Sequence, residues 1–152
     1  MMERQNGVED LGMMTLSVSV ETIVEQLKQR LDKNKIYTAV GDVIIAVNPY
    51  RVLPIYGPEH VRMYQTANMS DSSPHVYALA ERAYRRMQEM KEPQAVIISG
   101  ESGAGKTENA KLLLHYVSSV SGSSPKSQQM VSRSICFKTR LKRSKETNYS
   151  GV

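Results

Sequence analysis

Residues 94–120 admit few folds. Gln94-Ala95-Val96-Ile97-Ile98-Ser99 is an apolar, β-branched run of strand length. Gly100-Glu101-Ser102-Gly103-Ala104-Gly105-Lys106-Thr107 follows, with glycine at its first and sixth positions and Lys-Thr behind them. From Thr107 to Val120 the apolar positions Leu113, Leu114, Val117 and Val120 keep helical spacing. A strand that aims a glycine-rich loop at a helix N-terminus gathers backbone N–H groups, and the helix end adds a partial charge that favours an anion. Chance would place the bare pattern in a chain of this length about 0.5% of the time. The segment therefore predicts a phosphate-binding loop. Lys106 is the expected contact to the β- and γ-phosphates of a nucleotide, and the Thr107 hydroxyl the expected Mg2+ ligand. Gly100, Gly103 and Gly105 serve geometry. Ser102 either turns its hydroxyl to a phosphate oxygen or satisfies the loop itself, and Glu101 is expected to face away from like charge.

The rest of the chain supplies the frame for such a loop. Val20, Ile23, Val24, Leu27 and Leu31 define a one-sided helix, with Ser19 as its N-cap. Ile36–Val40 and Val43–Val47 read as two strands joined at Gly41-Asp42, the second apolar throughout and so expected to be buried on both faces. Asn48-Pro49 ends that strand. Glu59 to Gln65 reads as a short helix, and Asn68–Ser73 as a polar loop. Ser73-Pro74 resembles an N-cap with proline at the first helical position, so a helix is predicted over 74–90. The order helix, hairpin, loop, helix, strand, phosphate loop, helix predicts an α/β fold with a partial mixed sheet of three recognisable strands flanked by helices.

Composition narrows the setting. The chain has 152 residues, one cysteine (Cys136), one phenylalanine and no tryptophan. A single cysteine excludes an internal disulfide framework and suits a reducing compartment. The longest apolar runs are of strand length, so no membrane span is expected. The net charge of +5 is uneven: from Lys126 onward there are seven basic residues and one acid, whereas the first 125 residues carry 13 basic and 14 acidic ones. The basic character belongs to the tail and does not point to nucleic acid as the partner of the folded part. Cys136, His60, His75 and His115 have no metal-site spacing, and His75 reads as structural rather than catalytic.

The wording of Gly100–Thr107 resembles the myosin motor domain, and other stretches agree in order and spacing. Ile36-Tyr37-Thr38 with Gly41-Asp42 and Val43–Arg51 resembles the hairpin and adenine-side loop of that family. Ser73–Ala80 with Ala83-Tyr84 resembles the helix before the phosphate-loop strand, and Gly7–Leu11 the lead-in to the motor core. The resemblance runs from about residue 7 to 121 and leaves class I-like and class III-like membership open. It implies a P-loop NTPase fold and an actin-based motor using ATP and Mg2+, cytoplasmic and cytoskeleton-associated. By motif position Asn48, Pro49 and Tyr56 would line the adenine pocket with Arg51 near it, Gly100 to Thr107 would hold the triphosphate, and Asn109 follows the loop as in many myosins. Without the resemblance, a packed core tyrosine is an alternative reading of Tyr56, and Asn48-Pro49 alone is a strand stop.

The domain reading that follows is a lead-in over 1–15, a partial motor domain over 16–121, and a Ser/Gly-rich then basic tail over 122–152, expected to be unstructured and unlike the motor continuation. Past Thr107 the only acids are Glu108 and Glu146. No γ-phosphate sensor, acidic switch, actin-binding cleft or calmodulin-binding lever is recognisable in this sequence. The expectation is thus an ATP-binding part of a motor, without complete catalytic residues and inactive as a hydrolase by itself. The alternative is a non-hydrolysing nucleotide- or partner-binding fragment. Actin filaments and calmodulin-like light chains are implied as partners of the full-length family.

Overall fold

Apolar faces and caps place the helices close to where sequence periodicity puts them. The computed structural model describes residues 9–13, 19–67, 73–122 and 135–141, the last by backbone alone. Helix α1 spans Val20–Asp32, and the Ser19 hydroxyl accepts the Thr22 amide at its start. Strands β1 (Tyr37–Val40) and β2 (Val43–Ala46) form an antiparallel hairpin, Tyr37 opposite Ala46. Helix α2 spans Pro58–Thr66, α3 Val76–Met90, β3 Gln94–Gly100, α4 Lys106–Val120 and β4 Ile135–Leu141.

The α/β class holds, and the strands differ in detail. Among the described residues they form two sheets of two: β1 with β2, and β3 parallel to β4, with Gln94 opposite Ile135 and Gly100 opposite Leu141. The strand over 135–141 corrects the expectation of an unstructured tail from residue 122. Its sequence explains the pairing: Ile135, Phe137, Thr139 and Leu141 alternate with Lys138 and Arg140, and the β-formers lie beside an open edge of β3. The polar loop at 68–72, the Ser/Gly/Pro-rich stretch at 123–134 and the basic stretch at 142–152 lie outside the described residues.

Burial also corrects the sequence reading of the strands. Val43 in β2 is 62% exposed and Ile97 in β3 is 72% exposed; of the β3 side chains only Val96 is buried. An apolar run buried on both faces needs cover on both, and β2 and β3 do not pair with each other. The core lies elsewhere, between α2, α3, α4 and the β1 side of the hairpin. Tyr77, Ala80 and Met87 of α3 meet Leu113, Tyr116 and Val117 of α4, all buried. Within this contact the buried Glu81 accepts from the Tyr116 hydroxyl at 2.8 Å and from Arg85 one turn along. That hydrogen bond pushes the Arg85 guanidinium above its ordinary value. Burial first, and then the bond to Glu81, raises the Tyr116 phenol well above the usual range.

Two polar groups fix the ends of this core. Arg30, 2% exposed, donates from Nε to the Thr38 hydroxyl at 2.9 Å and from Nη2 to the Tyr37 carbonyl at 2.7 Å, bolting α1 to β1. Burial lowers its pKa, opposed by the charge of Glu9. The cap of α3 is His75, not Ser73: its backbone is extended and its Nδ1 accepts the Tyr77 amide at 3.0 Å. The imidazole earns that place by packing. It stacks on Tyr64 with centroids 4.8 Å apart and meets Tyr37 and Tyr77 edge-on, which starts the helix at Val76 rather than Pro74. The lead-in is likewise pinned: Asp10 bridges to Ala39, the Glu9 carbonyl accepts the Ala39 amide, and Leu11–Met13 forms a buried-ended 3-10 turn.

Candidate functional site

Strand β3 ends at Gly100, the loop turns through Glu101–Gly105, and α4 begins at Lys106. The turn needs left-handed backbone at two places, Gly103 (φ 78°) and Gly105 (φ 86°), where a side chain would cost strain. Gly105 is the N-cap of α4 and has no side chain to cap it, so the leading amides of the helix are left for an anion. The Lys106 ammonium reaches back over the loop and donates to the carbonyls of Gly100 (3.0 Å) and Glu101. Carbonyls are weaker partners for an ammonium than phosphate oxygens, so this lysine can exchange its contacts. Glu101, Ser102 and Thr107 are exposed. Thr107, in the first turn of α4, offers one hydroxyl oxygen, which suits Mg2+, an ion that keeps most of its waters and takes phosphate oxygens for the rest.

A cleft of about 290 Å³ opens beside the loop. Asn48, Pro49, Arg51 and Tyr56 line one side, and Ala104, Gly105, Glu108 and Asn109 the other. All four residues expected on the adenine side therefore meet the phosphate loop in one place. Asn48 does more than stop a strand: its Nδ2 donates to the Gly103 carbonyl at 2.9 Å, and its Oδ1 accepts the Tyr50 amide at 3.0 Å. The first bond ties the loop after β2 to the glycine-rich loop across 55 residues of sequence. Arg51 lines the cleft, with its guanidinium held by the Asn34 side chain.

Tyr56 lines the cleft and is also part of the packed interior. It packs against the core, and its backbone carbonyl accepts from the Tyr77 hydroxyl at 3.0 Å. Its own hydroxyl lies 2.9 Å from that of Tyr37, which donates to Asn109 Oδ1 at 3.1 Å; Asn109 Nδ2 donates to the Gly105 carbonyl at 3.0 Å. Burial raises the pKa of both phenols, Tyr37 far more than Tyr56, so both keep their protons. Sequence reasoning missed Tyr37 and Glu108 as cleft residues. Asn109, which the resemblance marked as following the loop, lies over it on the first helical turn, four residues past Gly105. Nothing in the spacing of Tyr37 points across 72 residues to Asn109.

Comparison with known proteins bears on what such a site belongs to. Residues 8–140 match the sequence profile of the family described as Myosin head (motor domain), a span that passes residue 121 and takes in most of β4. Myosin-K heavy chain of Dictyostelium discoideum is 58% identical over 116 residues, 76% of this chain and 13% of that protein. Unconventional myosin-Ib of Mus musculus is 45% identical over 122 residues, 80% of this chain and 11% of its own length. Myosin IB heavy chain of D. discoideum is 49% identical over 124 residues, 82% of this chain and 11% of its own length. The two myosin-I relatives agree with the class I-like reading, and this chain spans only 11–13% of the length of the three. With its family profile matched over 8–140, the chain belongs to the myosin head (motor domain) family.

Proposed function

We propose that this chain carries the base-side and phosphate-gripping half of a Mg-ATP site of an actin-based motor, and that its own residues bind the nucleotide without turning it over. The observation that carries this reading is the convergence of Asn48, Pro49, Arg51 and Tyr56 with Ala104 and Gly105 in one cleft, at the mouth of a loop whose helix amides are uncapped. In that reading the base lies in the cleft, and Gly100, Glu101, Ser102, Gly103, Ala104 and Gly105 wrap the triphosphate with backbone N–H groups. Lys106 exchanges its two carbonyls for phosphate oxygens, and Thr107 holds Mg2+. An ion held there would supply positive charge that offsets the charge of the phosphates.

Hydrolysis asks for more: a positioned water, a second magnesium ligand and a γ-phosphate sensor. Beyond Thr107 this sequence offers only Glu108, on the first turn of α4, and Glu146. The actin-activated ATPase, movement along actin, calmodulin-like light chains and a cytoplasmic, cytoskeletal location are proposed for the whole protein to which such residues belong. Among the described residues no helix is long and apolar enough to cross a membrane. The second reading, a fragment that associates through its sheets, is favoured by the exposed Val43 and Ile97 on strands that each pair with one other strand among the described residues.

Equilibrium binding of Mg-ATP to the full chain, alongside steady-state phosphate release with and without actin filaments, tests the proposal. Saturable binding that is lost in Lys106→Ala, with no turnover rising on adding actin, is the expected result. Turnover that rises with actin would refute the division into a binding half and a missing catalytic half; absence of any ATP binding would refute the site itself.

A further inference from the structure

The hydrogen-bond chain behind the cleft has only one consistent direction. The Gly105 carbonyl can only accept, so the nitrogen of the Asn109 amide faces it and the amide oxygen faces Tyr37. That oxygen also can only accept, so the Tyr37 hydroxyl spends its one proton on Asn109. The contact between the two phenols, 2.9 Å long, must then run from Tyr56 to Tyr37. Tyr56 has thereby spent its own proton inward. What its oxygen has left is acceptor capacity, in a residue that lines the cleft beside the phosphate loop.

We infer that Tyr37 is a positioning residue that sets base selectivity: by taking the Tyr56 proton it makes Tyr56 an acceptor, which favours a purine bearing an exocyclic amine over one bearing a carbonyl at the same position. The inference rests on the reading of the cleft as the base side of a nucleotide site. An amine can donate to Tyr56; a carbonyl would place two acceptors against each other. Burying an unsatisfied acceptor costs at least about 1 kcal/mol, roughly a fivefold preference. Tyr37 contributes nothing of this by touching the base. It acts through the polarity of its neighbour, and Asn109, anchored on the loop residue Gly105, fixes the polarity of Tyr37 in turn.

The test compares Mg complexes of ATP, inosine triphosphate and inorganic tripolyphosphate binding to the full chain. Inosine triphosphate differs from ATP by a carbonyl in place of the amine, with a proton on the neighbouring N1, and tripolyphosphate reports the loop alone. The wild-type chain is expected to prefer ATP to inosine triphosphate by about fivefold or more. In Tyr37→Phe the Tyr56 hydroxyl is free to donate or accept, and the ratio should fall to near unity. Tyr56→Phe should also abolish the ratio, so a Tyr37→Phe chain that fails to fold does not end the test. A purely structural role for Tyr37 would weaken both nucleotides together. An unchanged ratio in either folded variant, or equal wild-type affinities, would overturn the inference while leaving the nucleotide site standing. Failure of the wild-type chain to bind ATP and tripolyphosphate would bring down the site reading and this inference with it.

Discussion

Acidification below pH 6.5 should destabilise this fold through His75. The imidazole is 5% exposed, boxed in by Tyr37, Tyr56, Tyr64 and Tyr77, and its Nδ1 is committed to the Tyr77 amide. Burial is the main cause that lowers its pKa from 6.5 to about 4, the charge of His60 adds to it, and the Ile55 carbonyl opposes. The unfolded chain therefore binds a proton that the folded one refuses, and stability rises with pH across that window. The contribution is complete above pH 6.5 and drains as pH falls towards 4. Two and a half units at about 1.36 kcal/mol each give about 3 kcal/mol, a large share of the roughly 5–15 kcal/mol that holds a small domain folded. Urea unfolding of the full chain between pH 4 and 7.5 measures it. His75→Asn keeps a capping acceptor that does not titrate, so its unfolding free energy should be lower at neutral pH but nearly flat over 4.5–6.5. The imidazole Cε1 proton resonance of the wild-type chain should likewise not titrate until pH approaches 4. Equal slopes in the two proteins, or a resonance that titrates near 6.5, would refute the reasoning.

Two further substitutions probe the loop and its supporting helix. In Gly105→Ala the added Cβ has room, its nearest neighbour being Asn109 Nδ2 at 3.7 Å, so the cost is that of φ 86° alone, about 1–2 kcal/mol. Nucleotide affinity should drop by about tenfold as the loop relaxes; an unaltered affinity would show that the left-handed turn is not needed for binding. Tyr116→Phe removes the donor to the buried Glu81 while Arg85 keeps its own bond, and should cost about 1–3 kcal/mol in urea unfolding. A loss below about 0.5 kcal/mol would mean that Tyr116 only fills space.

Local chemistry was legible in the sequence. The Ser19 cap, the turn at Gly41-Asp42, the apolar faces of α1, α3 and α4, and the glycine-Lys-Thr loop each follow from spacing over a few residues. Contacts that join distant segments were not. The Ser73-Pro74 pattern pointed to the wrong cap because the competing cap, His75, wins through stacking on Tyr64 and contact with Tyr37. Hydrophobicity of β2 and β3 says what the strands tolerate, and gives no information on whether another strand covers them; Val43 and Ile97 are exposed as a result. The strand at Ile135–Leu141 was hidden inside a basic stretch, where net charge masked a period-two alternation. Within the site, the family resemblance marked Asn48, Pro49, Arg51 and Tyr56, while the bonds that tie them to the loop, from Asn48 to Gly103 and from Tyr37 to Asn109, required the fold.

Amide hydrogen exchange of the full chain with and without Mg-ATP tests most directly whether these residues grip a nucleotide. Protection should rise at the amides of Gly103 to Glu108 and along Asn48–Tyr56, and the rise should vanish in Lys106→Ala. Protection that appears elsewhere while these two segments stay unchanged, or that survives loss of Lys106 in full, would contradict the assignment of the cleft and loop as one ATP site.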